Sequence, residues 1–343
     1  MTRAAHAIWN SPAAWAAMAR SGLLPASMAY RGVTAMRNAL YDRGTLSVAR
    51  SSIPVVSIGN LAVGGTGKTP VAAWMASQLA ARGARPAIVM RGYGDDEPRV
   101  HALMNPGIPV VVNADRIAAV RDAGAAGCDV AILDDGFQHR RIARLEDVVL
   151  VSADRWREPV RLLPAGPWRE APSALARATM VMVTRKAGDR AEAHALMQRL
   201  APLTSTGAGA VAVLELDALH DAVTGALRPL SDIRGTTVLV AAGIGDPDSL
   251  AAQLRIEGAR VEMRSFPDHH VYDSSDIARL AREASGVDHM LCTLKDGVKL
   301  GPRWPREAPT LWYVSLRCRI EVGGAEVSAL LDRVNAARHS QIK

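Results

Sequence analysis

Short apolar runs alternate with helical segments through the middle of the chain, from residue 51 to residue 185. Continuous apolar runs of this length are typical of strands in a parallel sheet that is covered on both faces. The predicted strands are 54–58, 87–90, 109–112, 130–133, 148–151 and 180–183. Helices are predicted between them, for example over 71–82 and 116–123. This alternation predicts a doubly wound α/β domain over residues 51–204.

The pattern changes near residue 205. An antiparallel pair is predicted over 210–216 and 225–230, although Gly225 and Pro229 disfavour the second segment as a central strand. A second α/β set follows, with strands at 236–241, 261–266, 289–293 and 311–315 and a final helix at 324–337. We therefore predict a smaller C-terminal α/β domain over residues 205–343, joined to the first domain by a β-strand linker.

Residues 1–50 differ from the rest, because aromatic and aliphatic side chains alternate there with arginines. Trp and Tyr beside Arg are typical of a helix that lies on a bilayer, so this segment is predicted to be amphipathic, helical and membrane-associating. Ordinary helices packed on the body would give the same pattern, and both interpretations can hold together. No apolar run approaches the roughly 18 residues of a membrane span, and polar residues interrupt any signal sequence. The prediction is a cytosolic protein on a membrane surface.

The net charge of the chain narrows the choice of partners only in part. The chain has 343 residues, with 41 Lys and Arg against 34 Asp and Glu, and a net charge of +7. A basic surface suits anionic partners, although genomic base composition also favours arginine. The three cysteines have no metal-ligand spacing, which argues against a disulfide framework or a zinc site. With 4% aromatic residues and no recognised binding module, a nucleic-acid partner is not expected.

A glycine-rich segment lies between the predicted strand 54–58 and the predicted helix 71–82. It has the Walker A pattern, with alanine in place of the first glycine, and consists of Ala62, Val63, Gly64, Gly65, Thr66, Gly67, Lys68 and Thr69. The flanking strand and helix are the context that a phosphate-binding loop requires. Lys68 can reach the β and γ phosphates of a nucleotide, and Thr69 can bind Mg²⁺. ATP and Mg²⁺ are therefore the predicted cofactors.

Three acidic or histidine-containing elements follow predicted strands. Asp134 and Asp135 end an apolar strand in the Walker B manner, which suits a metal ion. The segment 95–97 is acidic and could supply a metal ligand or a general base. Asp268 and His269 could form a catalytic base dyad or orient one. The alternatives are a polar strand end, a solvated acidic loop and surface histidines, respectively.

Together these motifs resemble the tetraacyldisaccharide 4'-kinase family. The matching stretches are 56–60, 64–70, 91–94, 96–98, 115–116, 134–139, 163–170, 242–247, 268–270 and 293–296. They span nearly the whole chain in the family order, and 134–139 (DDGFQH) and 163–170 (LPAGPWRE) are more specific than the phosphate loop. The resemblance implies a P-loop NTPase-like α/β/α sandwich with a mostly parallel sheet and a smaller second α/β domain.

The resemblance also implies an activity. Such enzymes transfer the γ-phosphoryl group of ATP to the 4'-hydroxyl of tetraacyldisaccharide 1-phosphate in lipid A biosynthesis. The expected partners are this acylated disaccharide phosphate lipid and a membrane surface contacted by the N-terminal helices. The expected location is peripheral, on the cytoplasmic face of the bacterial inner membrane, and a monomer is expected.

Site roles follow from the same resemblance. Asp96 corresponds to the catalytic base and His269 to its partner. Arg169 and Lys68 correspond to residues that stabilise charge on the transferring phosphate. Glu97, Asp135 and Thr69 correspond to residues that surround the metal ion. The residues expected to support the site are Tyr93, Arg116, Gln138 and Glu170.

The chain departs from the family pattern in three places. The loop before the acidic segment is short, which leaves Asp95 and Asp96 as alternative bases and the position of Tyr93 open; Asp96 is favoured because Glu-Pro follows it. Leu294 replaces a usual glutamate, and Thr184 replaces a frequent asparagine.

The alternative function is that of another kind of P-loop enzyme. A metallochaperone would need Cys or His clusters, and segment 293–296 resembles a guanine-specific loop only superficially.

Overall fold

The computed structural model describes residues 3–92 and 96–340. Tyr93 and Asp95, two predicted site residues, lie outside this part. The strands are β1 (Val55–Asn60), β2 (Pro86–Met90), β3 (Val110–Val112), β4 (Val130–Asp134), β5 (Glu146–Ser152), β6 (Met180–Arg185), β7 (Ala208–Asp221), β8 (Leu227–Pro229), β9 (Thr237–Ala242), β10 (Arg260–Ser265), β11 (His289–Thr293) and β12 (Leu311–Val322). The helices are α1 (Arg3–Asn10), α2 (Ala14–Gly22), α3 (Leu24–Asp42), α4 (Lys68–Ala81), α5 (Asp96–Met104), α6 (Arg116–Ala125), α7 (Arg190–Leu200), α8 (Pro247–Ile256), α9 (Ser274–Ala284), α10 (Leu294–Leu300) and α11 (Gly324–Ser340).

Within the described residues the strands form one sheet, in the order β10-β9-β11-β12-β7-β6-β5-β1-β4-β2-β3, with β8 paired to β7. All neighbours are parallel except β7 with β12 and β7 with β8. The predicted fold class, a mostly parallel α/β sandwich, is confirmed. The long strands β7 and β12 pair across the predicted domain boundary, so the sheet is continuous there and the domain division stays a prediction. As its Gly and Pro indicate, β8 is short and exposed.

Side chains alternate between two buried layers along the central strands. On β4, Val130 and Ile132 pack with helices α4 and α11, whereas Ala131 and Leu133 pack with α6. This alternation follows from the two-residue period of a strand. Helix α11 follows the last strand but returns to α4, where Leu330 joins the core of the first half. The C-terminal helix thus ties the two halves together.

The N-terminal helices α1–α3 pack on the segment 162–168. Trp9 Nε1 donates to Pro164 O at 2.9 Å, and Ser27 Oγ donates to Leu162 O at 3.0 Å. Their outer surface, called here the interfacial face, carries exposed Trp15, Met18, Leu24, Met28, Val33 and Met36. Packing on the body and association with a membrane surface are therefore both compatible with the structure of this segment. Within the described residues, no helix combines the length and apolarity needed to cross a membrane.

Candidate active site

The phosphate loop connects β1 to α4 and is held at both sides. Gly64 and Gly67 have φ angles of 105° and 84°, which glycine adopts without steric strain. Asn60 Nδ2 donates to Thr66 Oγ1 at 2.8 Å, and Thr184 Oγ1 donates to Thr66 O at 2.9 Å. Thr184, where the family often has asparagine, therefore supports the loop. The loop is rigid enough to present its N–H groups to an anion.

Asp135 lies at the centre of a cluster of positive charge. Arg169 Nη1 is 3.1 Å from both of its carboxylate oxygens, and Lys68 Nζ is 3.6 Å from Oδ1. Arg116 Nη1 donates to its backbone oxygen at 2.8 Å. Burial would raise the pKa of Asp135, but the charges of Lys68 and Arg169 hold the pKa below its usual value. Asp135 is therefore ionised and holds both cations beside the phosphate loop.

Asp134 meets two other side chains. Thr69 Oγ1 donates to Asp134 Oδ2 at 3.3 Å, and His101 Nε2 lies 2.9 Å from the same oxygen. His101 is fully buried, and the sequence analysis missed it. It lies on α5 one turn beyond Glu97 on the same helix face, so helical spacing from the acidic segment could have indicated it. Asp134 is thus the carboxylate to which Thr69 donates.

The predicted base and its partner come from opposite halves of the sheet. His269 Nδ1 is 3.7 Å from Asp96 Oδ2, and Lys299 Nζ is 2.8 Å from the same oxygen. Burial would raise the pKa of Asp96, but His269 and Lys299 together hold it well below its usual range. Lys295 Nζ lies 3.0 Å from His269 Nε2. An ammonium group only donates, so this contact is a hydrogen bond in the tautomer that carries the ring proton on Nδ1.

Lys295 and Lys299 lie one turn apart on α10, a spacing that places them on one helix face. Neither lysine was predicted from the sequence to have a role. Their common face was readable from the sequence, but its direction towards Asp96 was not. Glu97 lies beside them, with Oε1 3.9 Å from His269 Nε2. Its pKa is raised by burial and by the nearby charge of Asp134.

Gln138 and Glu170 stand behind Arg169. Gln138 Nε2 donates to Asn60 O at 2.8 Å and to Glu170 Oε1 at 3.2 Å, and its Oε1 accepts from Arg169 Nη1 at 3.3 Å. Glu170 is buried and also accepts a bond from Asn38 of α3. Both predicted supporting residues therefore contact the site through Arg169.

A cavity of about 550 Å³ lies between the two halves of the sheet. The phosphate loop, Asp134, Asp135 and Arg169 line one wall, and Asp246, His269 and Lys295 line the other. Lys186 Nζ bonds Asp246 Oδ2 at 3.1 Å across the cavity. Its lining contains the predicted residues Lys68, Thr69, Glu97, Arg116, Asp135, Arg169 and His269. Asp96 is buried and does not line the cavity itself, but its partner His269 does. A phosphate loop and the histidine of an Asp–His pair thus share one cavity, an arrangement suited to transferring a phosphoryl group to a hydroxyl.

Comparison with known proteins agrees with this geometry. The model of the tetraacyldisaccharide-1-P 4'-kinase family matches residues 19–107 and 96–335. The chain belongs to this family. The predicted resemblance is confirmed, and with it the prediction of an ATP-dependent kinase that phosphorylates an alcohol group.

Individual relatives match over most of their length. The tetraacyldisaccharide 4'-kinase of Anaeromyxobacter dehalogenans (strain 2CP-C) is 40% identical over 328 residues, covering 87% of this chain and 86% of the relative. That of Halorhodospira halophila is 37% identical, covering 92% and 94%. The crystal structure of LpxK from Aquifex aeolicus in complex with ATP has a TM-score of 0.71 at 27% identity, covering 92% of this chain and 99% of that one. The predicted use of ATP is supported by this neighbour.

Proposed function

We propose that this kinase transfers the γ-phosphoryl group of ATP to the 4'-hydroxyl of tetraacyldisaccharide 1-phosphate, a step of lipid A biosynthesis at the cytoplasmic face of the inner membrane. The supporting observation is that Lys68 of the phosphate loop and His269, whose Nδ1 lies 3.7 Å from the buried Asp96, line the same cavity in a chain of this family. A phosphoryl acceptor bound between them would have a base on one side and the nucleotide on the other.

The proposed roles follow from charge and position. The acceptor oxygen forms a bond to the γ phosphorus, the bond to the leaving β-phosphate oxygen breaks, and Asp96 takes the hydroxyl proton. Lys68 and Arg169 stabilise the negative charge on the transferring group. His269 lies beside Asp96, with Nδ1 3.7 Å from Oδ2, and Lys295 contacts the other ring nitrogen of His269 at 3.0 Å and so fixes its position.

The donor set near Thr69 fits Mg²⁺, which prefers hard oxygen ligands. The candidates are the Thr69 hydroxyl and the carboxylates of Glu97, Asp134 and Asp135. In the described part of the chain, no group of three or more His, Cys, Asp or Glu side chains is arranged to hold a metal ion alone. This fits Mg²⁺ that takes its remaining ligands from phosphate and water. When bound, the ion would neutralise charge on the phosphate oxygens.

The function is tested by incubating the purified protein with γ-labelled ATP, Mg²⁺ and detergent-dispersed tetraacyldisaccharide 1-phosphate. Label is expected in the lipid, and parallel reactions with an oligonucleotide or without lipid should give none. ATP binding without labelled lipid would contradict the proposed acceptor and favour another P-loop kinase or synthetase.

The interfacial face is proposed to dock on the bilayer that holds the substrate. Met28 and Met36 of α3 are 74% and 62% exposed, and Arg31, three residues after Met28, is exposed as well. Apolar side chains beside arginine suit the boundary of an anionic membrane.

Replacement of both Met28 and Met36 by aspartate should weaken binding to vesicles of anionic phospholipid by about tenfold or more, since two apolar contacts are lost and two repelled charges are added. Vesicle co-sedimentation measures the change. Ile256→Asp alters an equally exposed apolar residue on α8 and should leave binding unchanged. Equal binding by the double variant and the wild type would contradict docking through this face.

A further inference from the structure

Helix α3 reaches the interior of the site through the side chain of Asn38. Its Nδ2 donates to Glu170 Oε2 at 2.8 Å, and Glu170 is only 4% exposed. Arg177 Nη2 donates to the same oxygen at 2.9 Å, and Gln138 Nε2 donates to the other at 3.2 Å. A buried carboxylate is costly unless donors surround it. Asn38 therefore contributes one of the donors that make the buried charge of Glu170 tolerable.

Glu170 and the backbone oxygen of Asn60 together decide which way the Gln138 amide points. The Nε2 group of Gln138 is committed to Glu170 and to Asn60 O, so its oxygen faces Arg169. Arg169 then has acceptors in both Gln138 and Asp135, which hold its guanidinium beside Lys68. A continuous series of hydrogen bonds thus leads from α3 to the cationic centre next to the phosphate loop.

We propose that Asn38 is a positioning residue for Arg169, acting through Glu170 and Gln138. This rests on the proposed function, in which Arg169 stabilises charge on the transferring phosphate. Without the Asn38 amide, Glu170 moves towards Arg177, and Gln138 Nε2 keeps only Asn60 O of its two acceptors. The Gln138 oxygen is then held less firmly against Arg169. The effect appears in the chemical step, because Asn38 does not contact the phosphate loop.

Asn38→Ala is expected to lower kcat about tenfold while the KM for ATP changes by less than about twofold, as for loss of one buried charged hydrogen bond that acts in the transition state. Asn38→Asp keeps the shape but sets a carboxylate against Glu170. It should lower kcat at least as much, whereas a side chain that only fills space would tolerate this change.

The double variant Asn38→Asp with Glu170→Gln removes the repulsion between two carboxylates and lets the new amide donate to the carboxylate at position 38, although Arg177, a second donor, then faces the same amide group. It is expected to recover about fivefold of the activity lost in Asn38→Asp, since the two positions are coupled. Thermal unfolding of each variant separates loss of positioning from loss of fold. Additive losses in the double variant, or wild-type kcat in both single variants, would overturn the proposal.

Asp42→Ala is the matched control. Asp42 lies one turn along the same helix and pairs with Arg140 at 2.6 Å, but its side chain is 59% exposed. This contact also ties α3 to the body, but Asp42 is not part of the hydrogen bonds that lead from Asn38 to Arg169, so its loss should leave kcat unchanged. Arg169→Ala separates the two hypotheses. If Arg169→Ala keeps full turnover, the proposed role of Arg169 fails; if it loses turnover while both Asn38 variants do not, only the role of Asn38 fails.

Discussion

Replacement of Lys68 by alanine is expected to reduce phosphoryl transfer about 10³-fold or more, because the residue supplies positive charge where charge develops in the transition state. This loss corresponds to about 4 kcal/mol of transition-state stabilisation. Transfer of label from γ-labelled ATP to the lipid measures it. The fold should be little affected, because Asp135 keeps its bonds to Arg169 when Lys68 is removed.

Lys68→Arg serves as the matched variant. It keeps the charge but not the compact ammonium, so an activity between those of the wild type and Lys68→Ala is expected. Circular dichroism and thermal unfolding should give the same folded state for all three proteins. Undiminished turnover in Lys68→Ala would contradict the assignment of residues 62–69 as the phosphate loop.

Asp96→Asn is expected to lower kcat by about 10²- to 10⁴-fold, the range for loss of a general base. The amide keeps the size of the side chain but cannot take the hydroxyl proton. ATP affinity should stay within about twofold, because the contacts shown for Asp96 are to His269 and Lys299 and do not include the phosphate loop. Single-turnover kinetics and equilibrium nucleotide binding measure the two effects separately.

The same variant has a predicted pH dependence of stability. His269 and Lys299 outweigh burial and lower the pKa of Asp96 in the folded protein. Ionised Asp96 therefore stabilises the folded state at neutral pH, and this contribution is lost as the pH falls below about 4, the unfolded-state value. Asp96→Asn should be less stable than the wild type at neutral pH, and the difference should shrink in acid.

Asp95→Asn tests the choice between adjacent carboxylates. Asp95 lies outside the described residues, and its replacement is expected to leave kcat near the wild-type value. A large loss in Asp95→Asn with normal turnover in Asp96→Asn would transfer the base assignment to Asp95 and leave the kinase itself unaffected.

Local chemistry made much of the site predictable. The phosphate loop was readable because a strand, glycines able to adopt positive φ and a helix that begins at Lys68 occur in one continuous segment. Asp134 and Asp135 were readable because they end an apolar strand. The roles of Asp96, His269 and Arg169 came from family resemblance, since nothing local distinguishes them from a solvated loop or a surface histidine.

Contacts between distant segments were not predictable in this way. Lys299 lies on α10, which follows β11, and Asp96 lies on α5, which follows β2. The two residues meet because these helices face each other from the two halves of one sheet. His101 reaches Asp134 because α5 packs beside the end of β4. Asn38 reaches Glu170 because α3 lies over the segment after β5. Hydrophobic periodicity predicts which side of a helix is buried, but not which segment covers it.

The sequence by itself therefore determined the parallel α/β class, the phosphate loop and the amphipathic N-terminal segment, because each depends on residues close together in the chain. Only the tertiary structure decided that one sheet spans both halves, that α11 returns to the first half, and that Lys295, Lys299 and Asn38 surround the site. These features depend on which surfaces pack together, and packing is determined by burial and charge pairing across the whole chain.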